Sequence, residues 1–284
     1  MIVDRKAELR KDQAALTEAR ARARVLPIWR NRSLVTGDRP PKPIALEGAA
    51  ARAALDAGEH PVFLGVDGSG APVFAVDLSA IDDPSSLGIE GRFQDLRMAG
   101  AFMATPDFEP LAYARGITRW NRKTNHCAEC GGALTTEDAG FAKICSQCET
   151  RTFPRTDPAV MVLVVREDRA LLARQHGFPK GMYSALAGFV EPGESLEQCV
   201  HREVGEEVGL SVRRLRYHDS QGWPFPRSLM IGYLAEAGPG DVVLEEEELE
   251  EARWFSKDEL RSPKGFFYPP PMSLAHHLVK SWLG

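Results

Sequence analysis

The chain has 284 residues, 43% hydrophobic and 26% charged, which suits a soluble globular protein of one large or two modest domains. Its 35 Lys and Arg against 40 Asp and Glu leave a net charge of −5, so no global positive field is available to hold long nucleic acid by counterion release, and a small anionic ligand needs a local site. No apolar run reaches the roughly 18 residues of a membrane span.

The segment MIVDRKAELRKDQAALTEARARARVLPIWR is charged rather than signal-like, and its acids Asp4, Glu8, Asp12 and Glu18 are those that organellar transit peptides avoid. The expected compartment is the cytoplasm, with no membrane partner. The sequence divides into an N-terminal α+β domain over 1–122, a cysteine module over 123–152 and an α/β domain over 153–284. In the first, a polar helix precedes KPIAL and a hairpin in PVFLGVDGSGAPVFAVDL, whose apolar runs flank a Gly-rich turn. Residues from about Ser85 to Arg122 read as mainly helical. No internal repeat is visible, and the only biased tract is the acidic run Glu245 to Glu248.

Cys127 and Cys130, then Cys145 and Cys148, form two C-x2-C pairs fourteen residues apart, close to zinc-ribbon spacing. Each pair wraps two thiolates onto one face of a tight turn, with Gly131 and Gly132 supplying turn freedom. Four thiolates leave no position open for substrate, so the expected role is one structural Zn²⁺ per chain. No Lys/Arg-rich recognition helix accompanies the cysteines, which argues against a nucleic-acid-reading finger. The fifth cysteine, Cys199, falls on the apolar stripe of a later helix and reads as core.

From Phe153 onward, β-like runs (AVMVLVVR, ALLAR, SALAGFV, SLMIGYLAEA, ARWF) surround one strongly patterned helix near 196–208, and a terminal helix follows PPP at 269–271. Ser195 with Gln198 forms a capping box and Gly209 a left-handed C-cap. At about 100° per residue from Leu196, the apolar arc holds Cys199, Val200, Val204 and Val208. Glu203 at about 340° and Glu207 at about 20° fall inside that arc, with Glu206 at its edge. Inward carboxylates three and four residues apart repel one another, and partial burial raises the cost steeply. A cation must compensate, and oxygen-only ligands favour Mg²⁺ or Mn²⁺. Gly205 in mid-helix costs roughly 1 kcal/mol relative to Ala, which predicts close approach of a neighbouring backbone.

Gly188, Glu194, Arg202, Glu203, Val204, Glu206, Glu207, Gly209 and Leu210 together meet the pattern G-x5-E-x7-R-E-U-x-E-E-x-G-U, with U aliphatic. In this the chain resembles the Nudix hydrolases. The resemblance implies an α/β/α sandwich with a mixed sheet, in the α/β (α+β) class. Glu203, Glu206 and Glu207 would act as catalytic metal-holding carboxylates, joined by the Ala187 carbonyl, and Arg202 would anchor the helix through an acid. It also implies hydrolysis of a nucleoside diphosphate linked to another group by metal-assisted in-line attack of water, with Glu206 or Glu248 as the base.

Ser220 to Ser228, SQGWPFPRS, contains two prolines that bar it from a central strand and leave Trp223 and Phe225 as protruding rings suited to stacking on a base. The segment is similar to the SQPWPFPxS array of the NADH pyrophosphatase branch, in which a zinc ribbon also precedes the catalytic domain; Gly222 stands where that branch usually has Pro. This resemblance implies NADH or NAD⁺ as substrate, NMN(H) and AMP as products, NAD-capped RNA as a further substrate, and a homodimer. The substrate pocket it implies is lined by Gln221, Gly222, Trp223, Pro224, Phe225, Pro226, Arg227, Ser228, Phe189, Ala275, Arg97 and Phe153. In the acidic run 245–251, by default a solvated face, it marks Glu248 before Leu249 as a further metal ligand. The rival readings are a Nudix hydrolase of ADP-ribose or another nucleoside diphosphate derivative, and an inert zinc-ribbon scaffold.

Overall fold

The structure, a computed structural model, describes residues 2–284. It contains two compact units, Met1–Arg155 with Pro224–Pro226, and Thr156–Trp223 with Arg227–Gly284. Among the described residues no helix is long and apolar enough to cross a membrane.

The first unit carries β1 (Ile2–Asp4), α1 (Gln13–Ala21), β2 (Arg24–Trp29), β3 (Arg32–Val35), α2 (Gly48–Ala57), β4 (Glu59–Asp67), β5 (Pro72–Asp77), β6 (Arg92–Asp95), α3 (Leu96–Gly100) and α4 (Thr105–Lys123). The expected polar helix is α1, started by the Asp12 carboxylate accepting from the backbone N–H of Ala14 and Ala15. The expected hairpin is β4–β5. Two central strands, β2 and β3, were not expected. They complete a sheet of order β1-β4-β5-β2-β3-β6 in which β2 and β5 run parallel. Pro27 inside β2 hides that strand, since proline ordinarily demotes a run to a sheet edge, and β3 is only four residues long. The region after Ser85 is mainly helical as expected, with β6 as an added strand. Val25, Leu34, Ala54, Leu55, Phe63, Phe74 and Val76 form the core.

The cysteine segment falls inside this unit as a three-stranded sheet of β7 (Leu134–Glu137), β8 (Ala142–Cys145) and β9 (Arg151–Thr152).

The second unit holds β10 (Asp157–Arg166), β11 (Arg169–Gln175), β12 (Leu186–Phe189), α5 (Leu196–Val208), β13 (Val212–Trp223), β14 (Ser228–Ala237), β15 (Leu249–Ser256), α6 (Lys257–Arg261) and α7 (Leu274–Leu283). Its sheet runs β13-β14-β10-β11-β15, with β10 and β14 parallel and the other pairs antiparallel. Alternate side chains of a strand point to opposite faces. On one face Val160, Val162 and Val164 of β10 therefore pack with Cys199, Val200, Val204 and Val208 of α5. On the other, Leu163 with Met161 and Val165 packs with Leu274, Leu278 and Val279 of α7. Burial on both faces explains why β10 reads as an unbroken apolar run, and the result is the α/β/α sandwich with a mixed sheet. β11 pairs with the C-terminal half of β10 and β12 with the N-terminal half, which brings Ala187 and Gly188 beside Met161 and Val160.

Candidate active site

Helix α5 begins and ends where its capping residues stand. Both halves of the Ser195–Gln198 capping box form, and Gly209 sits in the left-handed region at φ 68°. Its inward arc is that of the helical wheel. Cys199, Val200, Val204 and Val208 are fully buried, Glu203 is 8% and Glu207 2% exposed, and the Glu206 side chain stands in solvent. Burial pushes the Cys199 thiol up to about 12, in keeping with a core role. Gly205 departs from expectation: a Cβ there would meet nothing within 4 Å, so no neighbouring backbone requires a glycine.

Arg202 organises the outer side of the acid group. Its Nε and Nη2 donate to the two carboxylate oxygens of Glu194 at 2.8 and 3.0 Å, and Nη2 also to the Phe189 carbonyl at 2.9 Å. The remaining nitrogen, Nη1, reaches Glu203 Oε1 at 2.8 Å and Glu206 Oε2 at 3.0 Å. The bidentate bond to Arg202 holds the Glu194 carboxyl down at about 2. Glu203 shifts the other way, since burial outweighs its bond to Arg202. Glu207 is pushed up to about 8, first by burial and then by the charges of Glu203, Glu248 and Glu206. Its Oε2 is buried without a hydrogen-bond partner. A buried carboxylate with an orphaned oxygen among three other carboxylates is costly unless neutralised, and a divalent cation with oxygen ligands fits that donor set.

Gly188, the first residue of the motif, has a role that spacing alone did not suggest. A Cβ on it would overlap the carboxylate of Glu203, so only glycine lets that carboxylate lie against β12, beside the Ala187 peptide. The acidic run closes the site from the far end of α5. The Val243 N–H donates to the Val208 carbonyl at 3.0 Å and the Glu245 N–H to that of Glu207 at 3.1 Å, and a turn then leads to Leu249. Glu248 is the member of the run whose charge acts on both Glu203 and Glu207.

The residues expected to touch substrate divide between the units. In the second, Phe189 is largely exposed. Ser220 to Trp223 are not loop but the end of edge strand β13, where Trp223 closes a hairpin opposite Ser228. The Gln221 side chain is committed, its amide donating to the Met272 carbonyl at 2.6 Å and its oxygen accepting from the Leu274 N–H at 3.0 Å. Gly222 is exposed and a Cβ there would meet nothing within 4 Å, Arg227 pairs with Asp157 at 2.7 Å, and Ser228 is buried. Ala275 is 1% exposed, its methyl packed in the core beside Leu274 and Leu278.

In the first unit Phe225 does not protrude. Its ring lies 6.5 Å from that of Phe108, with the Arg97 and Arg115 guanidiniums 5.0 and 4.6 Å from its centroid. Pro224 is buried and its carbonyl accepts from Arg115, while Pro226 is exposed. Phe153 is exposed, with Arg151 over its ring at 5.6 Å. Sequence reasoning missed Arg115, whose contacts with Asn31 and Pro224 span 84 and 109 residues and leave no local signal.

The four module cysteines are free thiols whose sulfurs all lie within 4.8 Å of one another. Turn bonds from Gly131 N–H to the Cys127 carbonyl and from Glu149 N–H to that of Cys145 form the two knuckles. Gly131 uses its freedom at φ 77°. Gly132 serves by its small size, since a Cβ would come within 2.9 Å of the Cys145 sulfur. Converging thiols without a disulfide fit a tetrahedral metal.

A helix that turns glutamates inward beneath a mixed sheet, closed by a further acid, is the arrangement of a metal-assisted hydrolase. A family model described as the NUDIX domain matches residues 155–274, and one described as an NADH pyrophosphatase-like rudimentary NUDIX domain matches 22–120. The chain is 43% identical over 218 residues to a protein named NAD-capped RNA hydrolase NudC from Pseudomonas syringae pv. syringae (strain B728a), covering 75% of this chain and 74% of that protein. It is 44% identical, over the same shares, to the protein of that name from Pseudomonas aeruginosa (strain LESB58). A solved NUDIX hydrolase from Nitrosomonas europaea is 22% identical, covering 56% of this chain and 90% of its own, with a TM-score of 0.43. The chain belongs to the NUDIX hydrolase family, in its NADH pyrophosphatase-like NudC branch.

Proposed function

We propose that this chain hydrolyses the pyrophosphate bond of NADH or NAD⁺ to NMN(H) and AMP, and by the same cleavage removes NAD caps from RNA to leave a 5′ monophosphate. The observation that carries the reading is Glu207, a buried carboxylate with an orphaned oxygen, grouped with Glu203, Glu206 and Glu248. The named activity of the relatives supports the choice of substrate.

Glu203, Glu206, Glu207, Glu248 and the Ala187 carbonyl would hold Mg²⁺ or Mn²⁺, and the four cysteines Zn²⁺. When bound, the catalytic ion supplies positive charge against the pyrophosphate oxygens and acidifies water. Arg202, itself fixed by Glu194 and the Phe189 carbonyl, orients Glu203 and Glu206. The exposed carboxylates Glu206 and Glu248 are the two that water can reach to pass on a proton. Phe189 offers an exposed ring for stacking on a base, and Trp223 the ring nearest the hairpin end. We read the chain as three parts, 1–122, 123–152 and 153–284, with catalysis in the last, and as a cytoplasmic homodimer. The dimer rests on family resemblance and is checked by light scattering.

The deciding experiment incubates the protein and Mg²⁺ or Mn²⁺ with NADH, NAD⁺, ADP-ribose and NAD-capped RNA, and quantifies AMP and 5′-monophosphate ends. AMP from the dinucleotides and monophosphate ends from the capped RNA are expected. Faster cleavage of ADP-ribose than of either dinucleotide or the capped RNA would move the assignment to the other pyrophosphatase class.

A further inference from the structure

Glu248 stands outside α5, in the exposed turn before β15, and on the reading above would reach the same ion as Glu203 and Glu207. The stretch Glu245–Glu251 contains six glutamates, and the structure sorts them. Glu250 pairs with Arg174 Nε at 2.9 Å, and Glu251 accepts the Tyr183 hydroxyl at 2.5 Å. Glu245 accepts the Glu247 N–H of its own turn at 3.2 Å. The Glu246 main-chain carbonyl partners His176 Nε2 at 3.0 Å, and because a carbonyl only accepts, that nitrogen carries the proton. The Glu246 and Glu247 side chains are exposed, and of the six it is Glu248 whose charge acts on the α5 carboxylates Glu203 and Glu207.

Arg174 is the centre of this clasp. Its side chain is mostly buried, and besides Glu250 it donates to the carbonyls of Phe178, at 3.0 Å, and Pro179. It sits where the β11–β15 ladder slips: Arg174 is opposite Glu251 but Gln175 is opposite Leu249, so Glu250 is an extra residue. Such bulges re-aim the residues beside them, and the turn that carries Glu248 runs from Glu245 to Leu249, ending immediately before the bulged Glu250.

We propose that Arg174 and His176 are positioning residues that fix the bulge and turn so that Glu248 joins the cation site. They act through the main chain and the neighbouring glutamates and touch neither ion nor substrate. The inference rests on the reading of Glu203, Glu207 and Glu248 as divalent-cation ligands. Removing such supporting contacts typically weakens metal affinity about 10- to 100-fold.

The test titrates wild-type protein, R174A, R174K and H176A with Mn²⁺, following free Mn²⁺ by electron paramagnetic resonance, and in parallel measures AMP release from NADH as Mn²⁺ is raised. Circular dichroism checks folding. R174A and H176A should bind Mn²⁺ about 10- to 100-fold more weakly and regain near wild-type turnover at saturating Mn²⁺. R174K, which keeps a charge for Glu250 but loses the planar fork for two carbonyls, should fall between. Unchanged affinity in R174A and H176A overturns the proposal, and so does a turnover loss that saturating Mn²⁺ does not restore. If R174A does not fold, H176A decides alone. Wild-type protein that binds no Mn²⁺ would instead sink the cation-site reading itself.

Discussion

Burial and the charges of Glu203, Glu248 and Glu206 push the Glu207 carboxyl up to about 8, from the 4.5 of an unperturbed glutamate. Between those values the folded chain holds a proton that the unfolded chain has released, so stability falls as pH rises. The contribution is intact below the unfolded value and lost as pH passes through the folded one. The metal-free protein should therefore melt at lower temperature at pH 8 than at pH 5. E207Q, which cannot ionise, should show a shallower decline, and Mn²⁺ should restore the wild-type protein at pH 8. Calorimetric melts across that range check this, and equal slopes for the two proteins would remove Glu207 as the cause. If Glu207 holds the catalytic cation as proposed, the same substitution would take one carboxylate from a charge worth several kcal/mol in the transition state. Turnover of NADH by folded E207Q should fall at least about a hundredfold, two decades at 1.36 kcal/mol each.

At the scale of the element, α5 was legible because all its determinants are local. The Ser195 cap, the Gly209 stop and the apolar stripe are each set within one or two turns, so even the inward direction of Glu203 and Glu207 followed from residue spacing. Gly188 was legible only as a motif letter, since its reason, the carboxylate of Glu203 against its Cα, lies across the gap between β12 and α5. Gly188→Ala should displace Glu203 and weaken Mn²⁺ binding and turnover together, with little loss of secondary structure by circular dichroism. Wild-type affinity in that variant would show that the site has slack the structure does not display. The SQGWPFPRS segment was misread in part because aromatic rings beside prolines look exposed from sequence. Phe225 is instead covered by Phe108, Arg97 and Arg115, residues more than a hundred positions away. The strands β7 to β9 have two to four residues each, too little to hold a core alone, and a metal on the four cysteines would add to the support that Lys143 draws from the Asn121 and Thr124 carbonyls. One zinc per chain is expected by elemental analysis, and C130S should lose it and lower the melting temperature.

Across the whole molecule the sequence shows no repeat, yet the two sheets share one strand plan. In the first unit the hairpin β4–β5 lies parallel, through β5, to β2, followed outward by β3 and β6. In the second the hairpin β13–β14 lies parallel, through β14, to β10, followed by β11 and β15. One helix precedes each hairpin, α2 and α5, and another follows each last strand, α4 and α7. The strand plan survives because it needs only apolar alternation, which many sequences satisfy; the chemistry does not, because it needs particular side chains. The inward residues of α2 are Ala51, Ala54 and Leu55, and its one acid, Asp56, is exposed. Nothing on that helix repels, so nothing there calls for a cation, in keeping with the description of the matched family as a rudimentary NUDIX domain. The glutamate site should accordingly exist once per chain. With the cysteine site filled by Zn²⁺, the double variant E203Q/E207Q should lose all Mn²⁺ binding of wild-type affinity, read by electron paramagnetic resonance. Tight sites that survive the double substitution would mean that the first unit, or another part of the chain, holds catalytic-type cations after all.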